Sequence, residues 1–570
     1  MMFNSSLLKR GDYIVLTSLF SALAFIILFV YRAVDDNRLT SWEWTFAGID
    51  VSGIFFILIL GLIIAYPLSR ISLKKFNSSL FLFAVSFVSG MLFWAEPEVI
   101  VDASRYFTQA KHLEVYGIRY FIVEWGMNIS AWTDLPLIPF LYGLIFKFFG
   151  ESRVYIQIFT TALFSLTVLT TSKVGEKLWD KDTGFFAGCL MLGMPYVYTQ
   201  VPLMLVDVPT MFFLMFAVYA YLKALEKGRA WIVISSCAIF LAFYSKYSAW
   251  LMLSVLIVLT LVSLKGAPSA LSRRTVLQRT GAIAFVAGYL ISAVLLFKFD
   301  LISDQTDLLL SYQRPGLKRW GESFVSSFFY QVHPFITIAA VYSIYSAVRK
   351  RDLKYAAVSW LIALVIILQI KRMRYIMITL PMLALMASYG LRSIRDIQAR
   401  KFIILSVVIS SLVISFFVYL PFLQKMSPAN LKHAGRLLNS IHEANIEVFT
   451  LPSNDNIINP AVAVPILDLF TEKKLFYGYN NSFSPSNESI KASPLRFTWE
   501  YANPAYYSDK DSAAADKAIV VISGESGQPL PDYVKRSTNG FHISDRFEIS
   551  TGFFKYVTIA EIYRQDTVVP

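Results

Sequence analysis

About thirteen apolar runs, each near the ~20 residues a helix needs to cross a bilayer, fill most of the first 421 positions of this chain. A backbone in hydrocarbon must satisfy its own polar groups, so runs of this length are read as helices. They fall at 13 to 31, 47 to 68, 78 to 95, 155 to 172, 184 to 203, 210 to 226, 231 to 244, 248 to 264, 281 to 299, 333 to 348, 355 to 370, 375 to 391 and 402 to 421. With 56% of its 570 residues hydrophobic and 16% charged, the chain has more apolar surface than a single water-soluble core can use. Its composition is that of an integral membrane protein.

The net charge of +13 raises the question of a nucleic-acid partner. Topology answers it better, because Lys and Arg fall mainly in short loops, where the positive-inside rule places them. If the runs alternate sides, the cytoplasmic loops carry Arg70/Lys74/Lys75, Lys173/Lys177/Lys181, Lys223/Lys227/Arg229, Lys265/Arg273/Arg274/Arg279, Arg349/Lys350/Arg351/Lys354 and Arg392/Arg395/Arg400/Lys401. The alternation holds only if one further apolar stretch, Leu135 to Phe149, does not span. It is read as a helix in the outer interface, with Pro136 and Pro139 near its start. Lys9 and Arg10 precede the first run without a small-residue cleavage site after it, so that run is expected to be a retained span. Cys189 and Cys237 both lie inside apolar runs and are expected to be small core residues rather than disulfide partners or metal ligands.

The opposite face then holds a long loop from 96 to 154, a short one at Asp207, another from about 300 to 332, and everything after 421. From Ser427 to Pro570 the sequence turns polar. A helical stretch (Asn430 to Ala444), strand-like runs (Ile446 to Leu451 and Ala518 to Ser523) and turn-rich segments such as Asn480-Asn481-Ser482 indicate a soluble α/β or α+β domain. Asn480 and Asn487 begin sequons.

Charges at the lipid boundary are costly and mark function by default. Asp207, in Leu205-Val206-Asp207-Val208-Pro209, has almost no loop to solvate it. Asp102, in Asp102-Ala103-Ser104-Arg105-Tyr106, heads a helical stretch on which Tyr106 and Ala110 share its face; taken alone it also suits a capping or solvated carboxylate. Lys246, in Tyr244-Ser245-Lys246-Tyr247, and the cluster Lys371-Arg372-Met373-Arg374-Tyr375 break the positive-inside pattern. Snorkelling to lipid headgroups competes with a second reading, an anionic ligand. Carboxylates that activate a hydroxyl or hold a divalent cation, beside cations that receive a phosphate, suit sugar transfer from a lipid-linked donor.

On these residues the sequence resembles the polytopic GT-C glycosyltransferases, in particular the family 39 branch that includes dolichyl-phosphate-mannose protein mannosyltransferases and bacterial lipid A aminoarabinose transferases. The likeness spans about 78 to 421. It is carried by Asp102 with Tyr106, Ala110 and Gly117, by Pro136-Leu137 with Phe149-Gly150-Glu151-Ser152, by Asp207-Val208-Pro209 with Phe212-Phe213, by Ser245-Lys246-Tyr247, and by Arg374-Tyr375 with Pro381. The chain departs from the family pattern at Ala103, at Asp134 before the Pro-Leu step, and at Pro202.

The resemblance implies a GT-C-like helical membrane fold with a C-terminal extracytoplasmic domain, a polyprenyl-phosphate sugar donor and an inverting transfer on the extracytoplasmic side. It implies catalytic roles for Asp102 and Asp207, donor-phosphate binding by Lys246, Arg372 and Arg374, and substrate contacts from Tyr106, Tyr247 and Tyr375. A divalent cation is a candidate cofactor, the acceptor is a lipid, glycan or protein, and no nucleic acid is expected. The expected domains are 1–77, two additional helices; 78–421, the catalytic membrane domain; and 427–570, the soluble domain. Tyr106, Tyr116, Tyr120, Trp125 and Trp132 are placed to stack on sugar rings or to form an interfacial belt. Two rival functions are a transporter or flippase, which should show internal repeats and mid-membrane charges, and a non-catalytic scaffold that binds surface glycan.

Overall fold

The computed structural model describes residues 9–71, 77–265, 272–314, 322–451, 458–478, 486–493, 495–508, 517–549 and 557–565. Lys74, Lys75 and the Asn480-Asn481-Ser482 turn lie outside the described residues. The helices that matter for the site are α1 (Arg10–Val30), α2 (Val51–Arg70), α3 (Ser78–Met91), α4 (Ile100–Glu124), α5 (Leu137–Phe149), α6 (Arg153–Leu178), α7 (Lys181–Met191), α8 (Asp207–Lys227), α9 (Ala230–Ser245), α10 (Tyr247–Lys265) and α11 (Arg273–Phe297). They continue with α12 (Phe299–Leu308), α13 (Pro334–Lys350), α14 (Lys354–Ile367), α15 (Met373–Leu391) and α16 (Ile397–Gln424).

The chain is a multi-pass membrane protein. Among the described residues eight helices are long and apolar enough to cross a bilayer: α1, α2, α6, α8, α10, α11, α15 and α16. The other five expected spans form shorter helices, α3, α7, α9, α13 and α14. The run at 184 to 203 is the clearest correction, since its helix stops at Met191. Pro195 cannot continue a helix and biases the residue before it toward extended backbone, which Met194 adopts. The chain then makes one turn, Pro195–Tyr198, and winds through buried turns to Asp207.

The helix ends sort into two layers. At one end Arg392 pairs with Asp180 at 2.9 Å, Lys177 with Glu226 at 2.7 Å, Arg10 with Asp396 at 2.7 Å, and the Lys354 ammonium donates to the Leu178 carbonyl. These contacts gather the ends of α1, α6, α8, α14 and α16 with the loops beside them, which carry the basic residues. At the other end Asp102, Asp207, Lys246 and Arg374 meet. Helix α5, expected not to span, packs along α4.

Close helix approach holds the bundle. A Cβ on Gly184 would lie 2.2 Å from the Ser172 carbonyl oxygen, so only glycine allows α7 to press against α6 here. The two N-terminal helices attach separately: Phe25, Leu28, Leu58 and Leu62 pack with Val413, Ile414 and Val418 of α16.

The C-terminal part opens with α17 (Pro428–Leu438) and contains β1 (Asn445–Thr450), α18 (Val464–Leu469), β2 (Lys474–Tyr477), β3 (Lys517–Ser523), α19 (Asp532–Ser537), β4 (His542–Phe547) and β5 (Ile559–Arg564). The sheet order is β2-β1-β3-β5-β4, with β1 parallel to β2 and β3, and β5 antiparallel to β3 and β4. In register, Val520 of β3 stands between Val448 and Ile562. Ala518–Ile522 are all buried, which fits a central strand covered on both faces. Helix α17 ends earlier than the expected Ala444, because Asn439 leaves the helix and its carboxamide oxygen accepts from Thr471 and from the Glu472 amide. Leu431, Ala434, Leu438, Ala461, Ile466 and Leu467 share one apolar core with Ile100, Ala103, Phe107 and Ala110 of α4. The soluble part is therefore seated on the helix that carries Asp102.

Candidate active site

Each central charge sits at a helix end, where the chain can present a polar side chain while the apolar run stays in the bundle. Asp207 is the first residue of α8, where the helix dipole favours a carboxylate. Lys246 occupies the break between α9 and α10 in extended backbone (φ −165°, ψ 142°). Arg374 lies in the first turn of α15, and Asp102 in the first turn of α4.

Their side chains form one network. Arg374 donates from Nε to Asp207 Oδ2 at 2.7 Å and from Nη1 to Asp102 Oδ2, so a single guanidinium bridges both carboxylates. Lys246 Nζ pairs with Asp207 Oδ1. Asp207 is completely buried, and the side chains of Arg374 and Lys246 are only 10% and 17% exposed. Asp102 remains 20% exposed and is also approached by Arg105 at 3.5 Å. A carboxylate beside cations is a weaker base. Burial alone would raise the Asp102 carboxyl, but Arg374 and Arg105 outweigh it and hold it well below the usual carboxylate range.

The remaining expected residues lie around this centre in different ways. The Tyr375 ring stands 5.1 Å from the Lys246 ammonium and 5.4 Å from the Arg372 guanidinium. Tyr247 donates to Gln305 of α12, and the Gln305 carboxamide donates to the Asp134 carbonyl at 2.9 Å. Tyr106 is buried, with the Arg105 guanidinium 5.3 Å above its ring. Of the aromatics placed to stack on sugars, Tyr106, Trp125 and Trp132 are buried in packing contacts, whereas Tyr116 is 39% exposed.

Sequence reasoning missed a supporting layer. Arg105 makes a two-point ion pair with Asp134, the residue that departs from the family pattern before the Pro-Leu step. An arginine one turn after Asp102 was the available signal. Both carboxylate oxygens of buried Glu98 accept from the Met204 amide, at 3.1 and 2.9 Å, and the Tyr142 hydroxyl donates to the Leu205 carbonyl at 2.6 Å. These bonds fix the turn that delivers Asp207. Glu322 accepts from the Met373 amide at 2.8 Å and fixes the turn that delivers Arg374. No local pattern marks such pairs, because their partners are 51 and 106 residues apart.

Among the described residues no group of three or more His, Cys, Asp or Glu stands together as a metal site. Two carboxylates bridged by a guanidinium fit a divalent cation poorly, since the cation would compete with Arg374 for both.

Comparison with known proteins identifies the fold. A family model described as dolichyl-phosphate-mannose-protein mannosyltransferase matches residues 134–296, a stretch that contains Asp207 and Lys246. The crystal structure of ArnT from Cupriavidus metallidurans in the apo state superposes with a TM-score of 0.50 at 11% identity, covering 85% of this chain and 97% of that one. The same protein bound to undecaprenyl phosphate gives 0.51 at 11% identity, with the same coverage. The chain has the GT-C fold. No curated protein sequence matches it.

Proposed function

We propose that this protein is an integral membrane glycosyltransferase that moves a sugar from a polyprenyl-phosphate donor to an acceptor hydroxyl. The reaction takes place on the side opposite the basic loops, the extracytoplasmic side by the positive-inside rule. The observation that carries this reading is the bridged centre, in which Asp207 holds Lys246 and Arg374 side by side and an incoming phosphate would displace Asp102 from Arg374. A lipid phosphate is the anion that a cationic centre at a membrane rim is suited to receive. The ArnT structure with undecaprenyl phosphate supports that choice of ligand.

In this mechanism the donor phosphate takes the place of Asp102 on Arg374 and lies against Lys246, with Arg372 beside them. Asp102 then loses Arg374, keeps Arg105, and gains an anionic neighbour; the loss and the new neighbour both raise its carboxyl and make it a stronger base. It accepts the proton of the acceptor hydroxyl as that oxygen attacks the anomeric carbon from the face opposite the phosphate, giving inversion. The bond from the anomeric carbon to the phosphate oxygen breaks, and its electron pair leaves with the polyprenyl phosphate, stabilised by Lys246, Arg372 and Arg374. Asp207 holds Lys246 and Arg374 in place. No step runs through a metal ion.

The test is to incubate the protein in lipid nanodiscs with a panel of polyprenyl-phosphate sugars and glycan acceptors, and to measure released polyprenyl phosphate. Release that Asp102→Asn reduces by about 100-fold or more, the scale of one general base, supports the reading. Equal release by that variant removes Asp102 from the chemistry.

A further inference from the structure

We propose that the cleft between α4 and the sheet domain is a saccharide-binding subsite, separate from the charged centre, that holds the acceptor as an extended glycan. The cleft has a volume of about 550 Å³ and is lined by Lys111, Tyr116, Lys474, Tyr506, Tyr507 and Ser508, among others. That volume is in the range of small-molecule sites.

Its lining sets the partly exposed rings of Tyr116 and Tyr506 beside Lys111, Lys474 and Ser508. The rings of Tyr506 and Tyr507 lie 4.6 Å apart at 69°, and Tyr116 packs on Tyr120 at 4.7 Å. Of the lining groups, the Lys111 ammonium is held in place by Asp468 at 2.5 Å and Glu151 at 3.0 Å, and the Tyr507 hydroxyl donates to buried Asp468 at 2.6 Å. A sugar ring presents C–H faces to aromatic rings and hydroxyls to polar edges, so this lining suits it. A phosphate ligand fits less well, because Lys111 already serves two carboxylates. A lipid tail fits less well beside the two lining ammonium groups, Lys111 and Lys474.

Placement gives the subsite its role. Helix α4 carries Asp102 in its first turn and contributes Lys111 and Tyr116 to the cleft; at 1.5 Å per residue, Lys111 is about 14 Å further along the axis. On a helix Lys111 faces away from Asp102 whereas Tyr116 returns to within about 40° of its side, so an acceptor with its reacting hydroxyl at Asp102 would run along α4 and enter the cleft at Tyr116. This role rests on the transferase reading, whereas saccharide binding in the cleft does not.

The experiment measures binding of fluorescently end-labelled maltohexaose, cellohexaose and chitohexaose to the full chain in nanodiscs, without donor. At least one probe is expected to bind. Tyr116→Ala should weaken it about tenfold, the size of one lost aromatic contact, and Ala505→Trp, which fills the cleft, should abolish it. Asp102→Asn should leave binding unchanged, so the result does not depend on catalysis. Failure of all three probes to bind, or binding insensitive to both Tyr116→Ala and Ala505→Trp, overturns the subsite and leaves the transferase reading to its own test.

Discussion

The two ends of the helix bundle use the same residue types under opposite physical conditions. At the basic end the pairs are solvated, with side chains 31% and 47% exposed for Lys177–Glu226 and 35% and 41% for Arg392–Asp180. At the other end Asp207 has no exposure and its cations very little. Exposed pairs are screened and contribute little, whereas buried charges carry a desolvation cost that Coulomb attraction barely offsets. A chain that needed only stability could fill the second site with apolar side chains. Keeping four charges there fits the chemistry proposed for them, and the basic end fits the positive-inside rule.

The largest effect expected from this contrast comes from Asp207→Ala. It leaves Arg374 and Lys246 buried without their shared carboxylate, which should lower stability by about 3–5 kcal/mol in a denaturation series. A loss within about 1 kcal/mol, the range of an exposed pair, would erase the distinction between the two ends.

A pH series sharpens the same point at Glu322, which supports the turn of Arg374. Burial raises its carboxyl from 4.5 to about 7, against the opposing effects of the Met373 amide and Arg372. The folded protein therefore keeps a proton that the unfolded chain has released. The associated stability is complete below about pH 4.5 and is lost as pH rises through about 7. Thermal midpoints of the natural protein should fall across that window, and Glu322→Gln should flatten the fall. An unchanged slope in the variant assigns the pH dependence elsewhere.

The smallest effect belongs to the basic end. Lys177→Ala should cost no more than about 0.5 kcal/mol, and less at high salt, in the same denaturation series. A loss comparable to that of Asp207→Ala would mean that both ends depend on their ion pairs alike.

Much of the bundle was legible in the sequence, because lipid requires helices of a set length and the Lys and Arg residues report the alternation. The expectation that 135 to 149 does not span rests on that alternation alone; the structure makes it a 13-residue helix along α4. The break after Met191 was less visible, since apolar composition continues through Pro195 to Leu205 and hides the loss of helix. In the site, Asp102, Asp207, Lys246 and Arg374 stood out as charges against apolar surroundings. Arg105–Asp134, Glu98 and Glu322 did not, because their meaning lies in partners brought together only by folding. The sheet could be anticipated from Ile446 to Leu451 and Ala518 to Ser523, but its docking on α4 depends on Leu431, Ala434 and Leu438 matching a face of another domain.

The central claim is that the buried charge centre exists to receive a lipid phosphate. It is tested most directly by native mass spectrometry of polyprenyl phosphate binding to the natural protein, Lys246→Ala and Arg372→Ala. Each substitution removes one cation while Arg374 keeps its bridge between the carboxylates, and each should weaken binding by about tenfold or more, the scale of one charge-assisted hydrogen bond. Binding as tight in both variants as in the natural protein would contradict the claim.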